Sequence, residues 1–298
     1  MNADVLYTDA PARQDAGRSS LDVAFVGSVA PAGMTEASPA FSPAGNKFQL
    51  NLLRHLSRGG GTRVEAFSMR PLAAYPGERV LAFGGHRTEL AQVPTTLVPF
   101  VNVRGIKEGS VAAGMYAHLR RWAAAHPSGP RALLVYNVLS SLSLPVLSAA
   151  RAWKVPAVAV VADLPFDVYS FRGARGLLER AELRAQLHAL RRFDGLVVLT
   201  PHTAHDHAPE VPWMMMEGAL PADEIPPAIG PSDAPPRCAA ERVVMYSGML
   251  NEMNGIPLLL QAFERLREPD WRLWVYGGGP LDEAVRAAAR RDPRIVLH

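Results

Sequence analysis

The stretch from Arg242 to His298 constrains the fold most, because apolar runs of strand length alternate there with runs of helical period, and glycines sit at the joins. Arg242 to Ser247 is a short β-rich run that stops at Gly248. Asn254-Gly255 opens a segment in which Leu259, Phe263 and Leu266 recur at helical spacing. Trp271 to Tyr276 reads as a second strand, closed by Gly277-Gly278-Gly279-Pro280. Leu281 to Arg291 repeats the helical pattern, and Arg294 to Leu297 begins a third strand. Strands and helices alternating with glycine turns after the strands predict the mononucleotide-binding half of a doubly wound sheet. No return helix or capping segment follows His298, so this second domain reads as incomplete.

The same alternation, less regular, fills the region before it. Asp22 to Gly27 has the pattern of a buried strand, Asn46 to Arg58 that of a helix, and Arg63 to Phe67 that of the next strand. Arg70 to Arg104 mixes short β-like pieces with prolines and yields no order. Beyond it, helices are predicted over 110–125, 140–153 and 175–192, the last long, charged and amphipathic. Strands are predicted over 132–136, 155–161 and 195–199. Thr200-Pro201 reads as the cap and first position of a short helix, and Met214-Met215-Met216 as a short buried strand. The expected fold class is α/β with two Rossmann-like domains: a loose tail over 1–20, a first domain over 21–218, a proline-stiffened linker over 219–240, and a partial second domain over 241–298.

Composition limits the function classes. Hydrophobic residues make up 48% and charged residues 20% of the 298, which suits a globular chain and not a disordered one. A formal charge of +3 favours an anionic ligand or a membrane surface, and no basic run is interleaved with aromatics, so nucleic acid is not expected as a partner. One cysteine, Cys238, permits no intrachain disulfide and suits a reducing cytoplasm. The longest apolar run, Val155 to Val161, is too short to span a bilayer.

The segment YSGMLNEMNG from Tyr246 to Gly255, followed by Ala262-Phe263 and by Gly277-Gly278-Gly279-Pro280, resembles the donor-domain entry of glycosyltransferase family 4, whose members have the two-domain GT-B fold. Gly248, Leu250, Gly255 and Ala262-Phe263 fall in register with the family's pattern. The earlier part agrees more loosely through Ala44-Gly45-Asn46-Lys47, Ala162-Asp163-Leu164-Pro165 and Glu217-Gly218. The chemistry behind the glycines is plain. A sugar-nucleotide donor leaves behind a diphosphate, and bond cleavage is eased when fixed positive groups, including backbone N–H groups at glycine turns and helix N-termini, meet that charge.

The resemblance implies donor and phosphate contacts at Gly248, Met249, Asn254, Gly255 and Gly278, with a further donor contact at Glu217. It implies an acceptor-side loop at Gly45, Asn46 and Lys47, and a catalytic-side polar contact at Asp163. Two positions depart from it: the family's arginine aligns with Met249 and its lysine with Asn254. Each lost charge-assisted contact to phosphate costs about 1.5–3 kcal/mol. Met249 and Asn254 read equally well as turn residues, Lys47 as a solvated lysine at a helix start, and Asp163 as a turn-forming aspartate. The family's pair of glutamates seven residues apart has no counterpart before His298. The histidines His202, His205 and His207 read as a surface helix start rather than a zinc site.

The expected function is transfer of a sugar from a nucleotide diphosphate sugar to the hydroxyl of a glycan or lipid-linked glycan, in polysaccharide or glycoconjugate biosynthesis. By resemblance it is retaining and metal-independent, and needs no cofactor. Peripheral membrane contact through the arginines of 175–192 is an additional expectation, as is a cytoplasmic location at the inner membrane face. Poor donor binding and little turnover are expected of the 298-residue chain. The alternative is a truncated or degenerate GT-B protein that binds nucleotide or a partner without catalysis.

Overall fold

The structure, a computed structural model, describes residues 20–31, 33, 41–164, 173–218 and 242–298. Nearly all of the expected tail, the linker with Cys238, and Pro165 lie outside these residues. The chain divides into two compact units, Met1–Ile225 and Pro226–His298.

In the first unit, β1 (Leu21–Gly27) leads through α1 (Pro43–Arg58) to β2 (Thr62–Ser68). Four short strands follow: β3 (Ala82–Phe83), β4 (His86–Leu90), β5 (Val93–Leu97) and β6 (Phe100–Val101). Then come α2 (Lys107–Ala125), β7 (Arg131–Tyr136), α3 (Ser140–Trp153), β8 (Ala157–Val161), α4 (Gly173–Leu190), β9 (Gly195–Val198), α5 (Pro201–His207) and β10 (Trp213–Met215). Eight strands form one sheet in the order β10-β9-β8-β7-β1-β2-β5-β4, parallel except for β4.

The connection from β1 steps to one side of the sheet and that from β7 to the other. Right-handed crossovers therefore put α1 on one face and α3 on the opposite one. Leu53 of α1 packs with Phe25, Val64 and Val160, while Met115 and Leu119 of α2 and Leu142 and Val146 of α3 pack with Ala24, Val26 and Leu133. β1 is buried almost throughout because it lies between β7 and β2 with a helix layer on each side. Even its one carboxylate, Asp22, is buried, and it is met by Arg63 on β2 at 2.7 Å.

The unordered stretch resolves into a hairpin whose strand β5 joins β2 in parallel while β4 returns antiparallel to it. Its turn is Ala91-Gln92, with φ of 52° and 64°. Neither residue type signals a left-handed hairpin turn in a sequence, so the hairpin was illegible there. Arg70 donates to the Val98 and Gly84 carbonyls and lies 5.5 Å from the centre of the Phe83 ring. Lys107 donates to the Leu72 carbonyl beside the Phe100 ring. Arg70 thus ties the segment to itself and Lys107 of α2 ties it to the unit, and burial lowers the pKa of each.

Four expectations need correcting. α1 begins at Pro43, not Asn46, because Ser42 caps it: its Oγ accepts from the Gly45 N–H at 3.1 Å, with Pro43 at the first position. Thr200 does precede α5, but its side chain makes no capping bond. The methionine strand is not buried. β10 is the terminal strand of the sheet, and Met214 and Met215 are 59% and 44% exposed. Helix α4 is not cleanly amphipathic, since Leu177 and Leu178 face outward while Glu179 and Gln186 are buried.

In the second unit, β11 (Arg242–Ser247), α6 (Ile256–Arg265), β12 (Trp271–Tyr276), α7 (Asp282–Arg291) and β13 (Ile295–Leu297) form a parallel sheet in the order β11-β12-β13. Leu250, Ile256, Phe263, Leu273, Val275, Val285 and Ile295 make its core. Asp282 and Glu283 open α7 and Arg290 and Arg291 close it, complementing the helix dipole at both ends.

Candidate functional site

Sheets of this kind place ligands at the carboxyl ends of the strands, where the strand order reverses. In the first unit that point lies between β1 and β7. A recess of about 170 Å³ opens there, lined by Ser28 after β1, by Phe41, Ser42, Gly45, Asn46 and Gln49 around the start of α1, by Pro71, by Tyr136-Asn137 at the end of β7, and by Asp163 after β8. Ligand pockets usually measure about 300–1,000 Å³, so the recess fits part of a sugar and not a whole nucleotide. A larger groove of about 920 Å³ lies between α3 and α4, around Val155, Pro156 and Asp194 at the amino ends of the strands. We place the site at the smaller recess, because it is the one at the carboxyl ends.

Local chemistry builds the recess. Asn46, expected to face an acceptor, uses its amide on the protein: Oδ1 accepts from Ala30 N at 2.9 Å and Nδ2 donates to Ala30 O at 3.1 Å. It lines the recess while pinning the loop after β1. Gln49, one turn on, accepts from Ser28 N at 2.9 Å and donates to the Gly45 carbonyl at 3.1 Å. Gly27 is required beneath it, since a Cβ there would meet both Gln49 Oε1 and the Phe25 ring. Gly45 brings the backbone near Tyr136, whose hydroxyl would stand 3.4 Å from a Cβ at that position. Lys47, in the same turn of α1, is exposed and does not line the recess.

Tyr136 is buried and its ring packs against Phe48 at 5.8 Å. Its phenol is pushed up to about 12, first by burial and then by the negative charge of Asp163. It therefore stays a neutral hydroxyl at any physiological pH. Asp163 is exposed at the recess, and its backbone N–H and that of Ala162 both donate to Asn137 Oδ1, at 3.2 and 2.9 Å. Sequence reasoning missed Gln49, Tyr136 and Asn137. The signal available for the last two was their place at the carboxyl end of an apolar run, where side chains leave the core and meet ligand.

Glu217 is exposed after β10 and stands apart from the recess, with β9 and β8 between its strand and β7. His205 lies edge-on to Trp213, with ring centres 5.2 Å apart. Among the described residues no three histidine, cysteine or acidic side chains converge, and no helix is long and apolar enough to cross a membrane.

In the second unit the remaining candidates gather at the carboxyl ends of β11 and β12. The turn after β11 carries Gly248, Met249 and Asn254, and the turn after β12 carries Gly277 to Gly279. They are sewn together by Gly248 N to Tyr276 O at 3.0 Å, Leu250 N to Gly278 O at 3.0 Å, and Leu281 N to Leu250 O at 2.9 Å. Gly277 has φ of 136°, and a Cβ on it would fall on the Gly248 carbonyl. Gly255, with φ of 74°, occupies the N-cap of α6. Gly278 has open space where a Cβ would stand.

Met249 is 48% exposed, and its carbonyl accepts from the Tyr246 hydroxyl and from Asn254 Nδ2, each at 2.9 Å. The amide that could have faced a phosphate thus braces the turn. These loops expose backbone at paired strand ends next to the start of a helix, the arrangement that accommodates phosphate.

The sequence matches no protein-family model and no curated protein. Solved structures resemble the chain over most of its length. A sucrose-phosphate synthase from Thermosynechococcus elongatus matches at 14% identity and a TM-score of 0.55, over 93% of this chain and 70% of that one. HepE of Anabaena, solved with UDP, matches at 12% and 0.55, over 93% and 68%. An α,α-trehalose-phosphate synthase (UDP-forming) from Burkholderia vietnamiensis matches at 14% and 0.55, over 94% and 73%. What this chain shares with them is a fold, the α/β architecture with parallel sheets of GT-B glycosyltransferases.

Proposed function

We propose that the protein is a nucleotide-sugar-dependent glycosyltransferase. The observation that carries the reading is the pair of laced glycine turns at the carboxyl ends of β11 and β12, which present backbone and the start of α6 where a diphosphate would sit. The structures sharing the fold include one solved with UDP and one named as UDP-forming, which supports a nucleotide diphosphate as the leaving group.

In this reading the second unit holds the donor at the turns of Gly248, Gly255 and Gly278, where Gly248 and Gly255 give room for close approach while their own N–H groups stay on the Tyr276 and Glu252 carbonyls, and the first unit takes the acceptor at the recess by Gly45 and Asn46. Asp163 contacts sugar hydroxyls, and the neutral Tyr136 donates a hydrogen bond beside it. The bond between the anomeric carbon and the diphosphate oxygen breaks, a bond to the acceptor oxygen forms, and the acceptor's proton leaves with the nucleoside diphosphate. By the family 4 resemblance the anomeric configuration is retained and no metal takes part. The acceptor is a glycan or lipid-linked glycan of polysaccharide or glycoconjugate assembly, reached in the cytoplasm at the inner membrane face. The exposed Leu177 and Leu178 of α4, with Arg180 and Arg184 on the same helix, support a peripheral membrane contact.

A second reading is binding without catalysis. Met249 brings no charge to the turn, and Asn254 spends an amide hydrogen on the Met249 carbonyl. The test is incubation of the protein with a panel of radiolabelled UDP-, GDP- and ADP-sugars and glycan acceptors, read as labelled product and released nucleotide. Product formation lost in Asp163→Asn supports transfer. Saturable nucleotide binding with no product from any pair supports the second reading.

A further inference from the structure

We infer that Asn137 is the positioning residue of the recess, seating its side-chain carbonyl under the turn after β8 and so fixing the direction in which Asp163 presents its carboxylate. This rests on the reading of Asp163 as a contact to sugar hydroxyls. Asn137 itself touches no reacting atom in that scheme and acts through Asp163.

The geometry is specific. Asn137 has φ of 58°, in the left-handed region, and its own N–H donates to the Val160 carbonyl at 2.8 Å. The chain leaving β7 is therefore still bonded to β8 as it turns. From that seat, Oδ1 receives two successive N–H groups, Ala162 at 2.9 Å and Asp163 at 3.2 Å. Successive N–H groups pointing to one place form a concavity suited to an anion. Here the protein fills it with its own amide oxygen, which leaves the Asp163 carboxylate for the recess.

The residue type is constrained twice. Left-handed backbone favours glycine, asparagine and aspartate, and only the last two also supply an acceptor there. Asn137→Gly keeps the backbone and removes the acceptor, and Asn137→Asp keeps both. The pair separates loss of the brace from loss of the turn.

The first measurement needs no substrate. The intact protein is labelled with 13Cζ-tyrosine, the Tyr136 resonance is assigned with Tyr136→Phe, and its shift is followed as the pH is lowered into the acid range. Wild type should show a displacement that vanishes in Asp163→Asn. In Asn137→Gly it should fall by at least about half, and Asn137→Asp should retain the part that Asp163→Asn abolishes. Adding Asn137→Gly to Asp163→Asn should change nothing more. A wild-type displacement in folded Asn137→Gly, or an Asn137→Asp protein without the Asp163-dependent part, overturns the inference. Should Asn137→Gly not fold, the Asn137→Asp comparison decides alone.

The second measurement is kinetic. Asn137→Gly should lower kcat for sugar transfer about 10–100-fold with the donor KM unchanged, and Asn137→Asp should restore most of it. A protein that transfers no sugar defeats the transferase reading, while the Tyr136 resonance still decides whether Asn137 holds Asp163.

Discussion

The N–H of Leu250 donates to the carbonyl of Gly278 at 3.0 Å, joining the turns that follow two neighbouring parallel strands. The bond makes each turn the support of the other. It also separates two adjacent glycines by role: Gly277 lies against the Gly248 carbonyl, and Gly278 faces open space.

Gly277→Ala should destabilise the second unit by about 1–3 kcal/mol, since it combines backbone strain with a clash against main chain. Gly278→Ala should unfold like wild type in urea yet bind UDP more weakly, because its methyl occupies the approach to the turn. A Gly278→Ala protein with unchanged UDP affinity would remove this turn from the donor site.

Met249→Arg should strengthen UDP binding. The side chain is half exposed, so the change is tolerated, and a new charge-assisted contact to phosphate amounts to a gain of about tenfold or more. Titration calorimetry at two salt concentrations checks it: the gain should shrink at the higher one. Equal affinity for the variant and wild type would place the phosphates elsewhere.

Asn46→Ala should cost the first unit about 1–3 kcal/mol, since both Ala30 backbone groups lose a buried partner. Asn46→Asp should also destabilise, as a carboxylate cannot donate to the Ala30 carbonyl. Denaturant unfolding of both variants, with hydrogen exchange at Ala30, reads the effect. Stability equal to wild type in Asn46→Asp would mean the donated bond contributes nothing.

Tyr136 predicts a pH effect with a definite sign. Its folded phenol is raised to about 12 from the ordinary 10, so the unfolded chain ionises first as pH rises. The stabilisation is fully present below pH 10 and is lost as pH climbs through the window from 10 to 12. Tyr136→Phe lacks this loss. Its stability relative to wild type should therefore be flat below pH 10 and improve above it. A difference that stays flat across the whole range would show the phenol to be unperturbed.

The amino-acid sequence made legible the alternation of strands and helices, the glycine punctuation of the second unit and the helix face that carries Leu259, Phe263 and Leu266, because period and turn chemistry are local properties. It located the glycines of both candidate regions and Asp163 for the same reason: they stand where strands end. The packed fold settled what those residues touch. It gave the amides of Asn46 and Asn254 to backbone carbonyls, and it exposed Met214 by placing β10 at the sheet's edge. It also brought Asn137, twenty-six residues before Asp163, beneath the turn that carries it. Hydrogen-bond partners and burial depend on which strands become neighbours, and that order is set by packing across the whole sheet, which no local run of residues encodes.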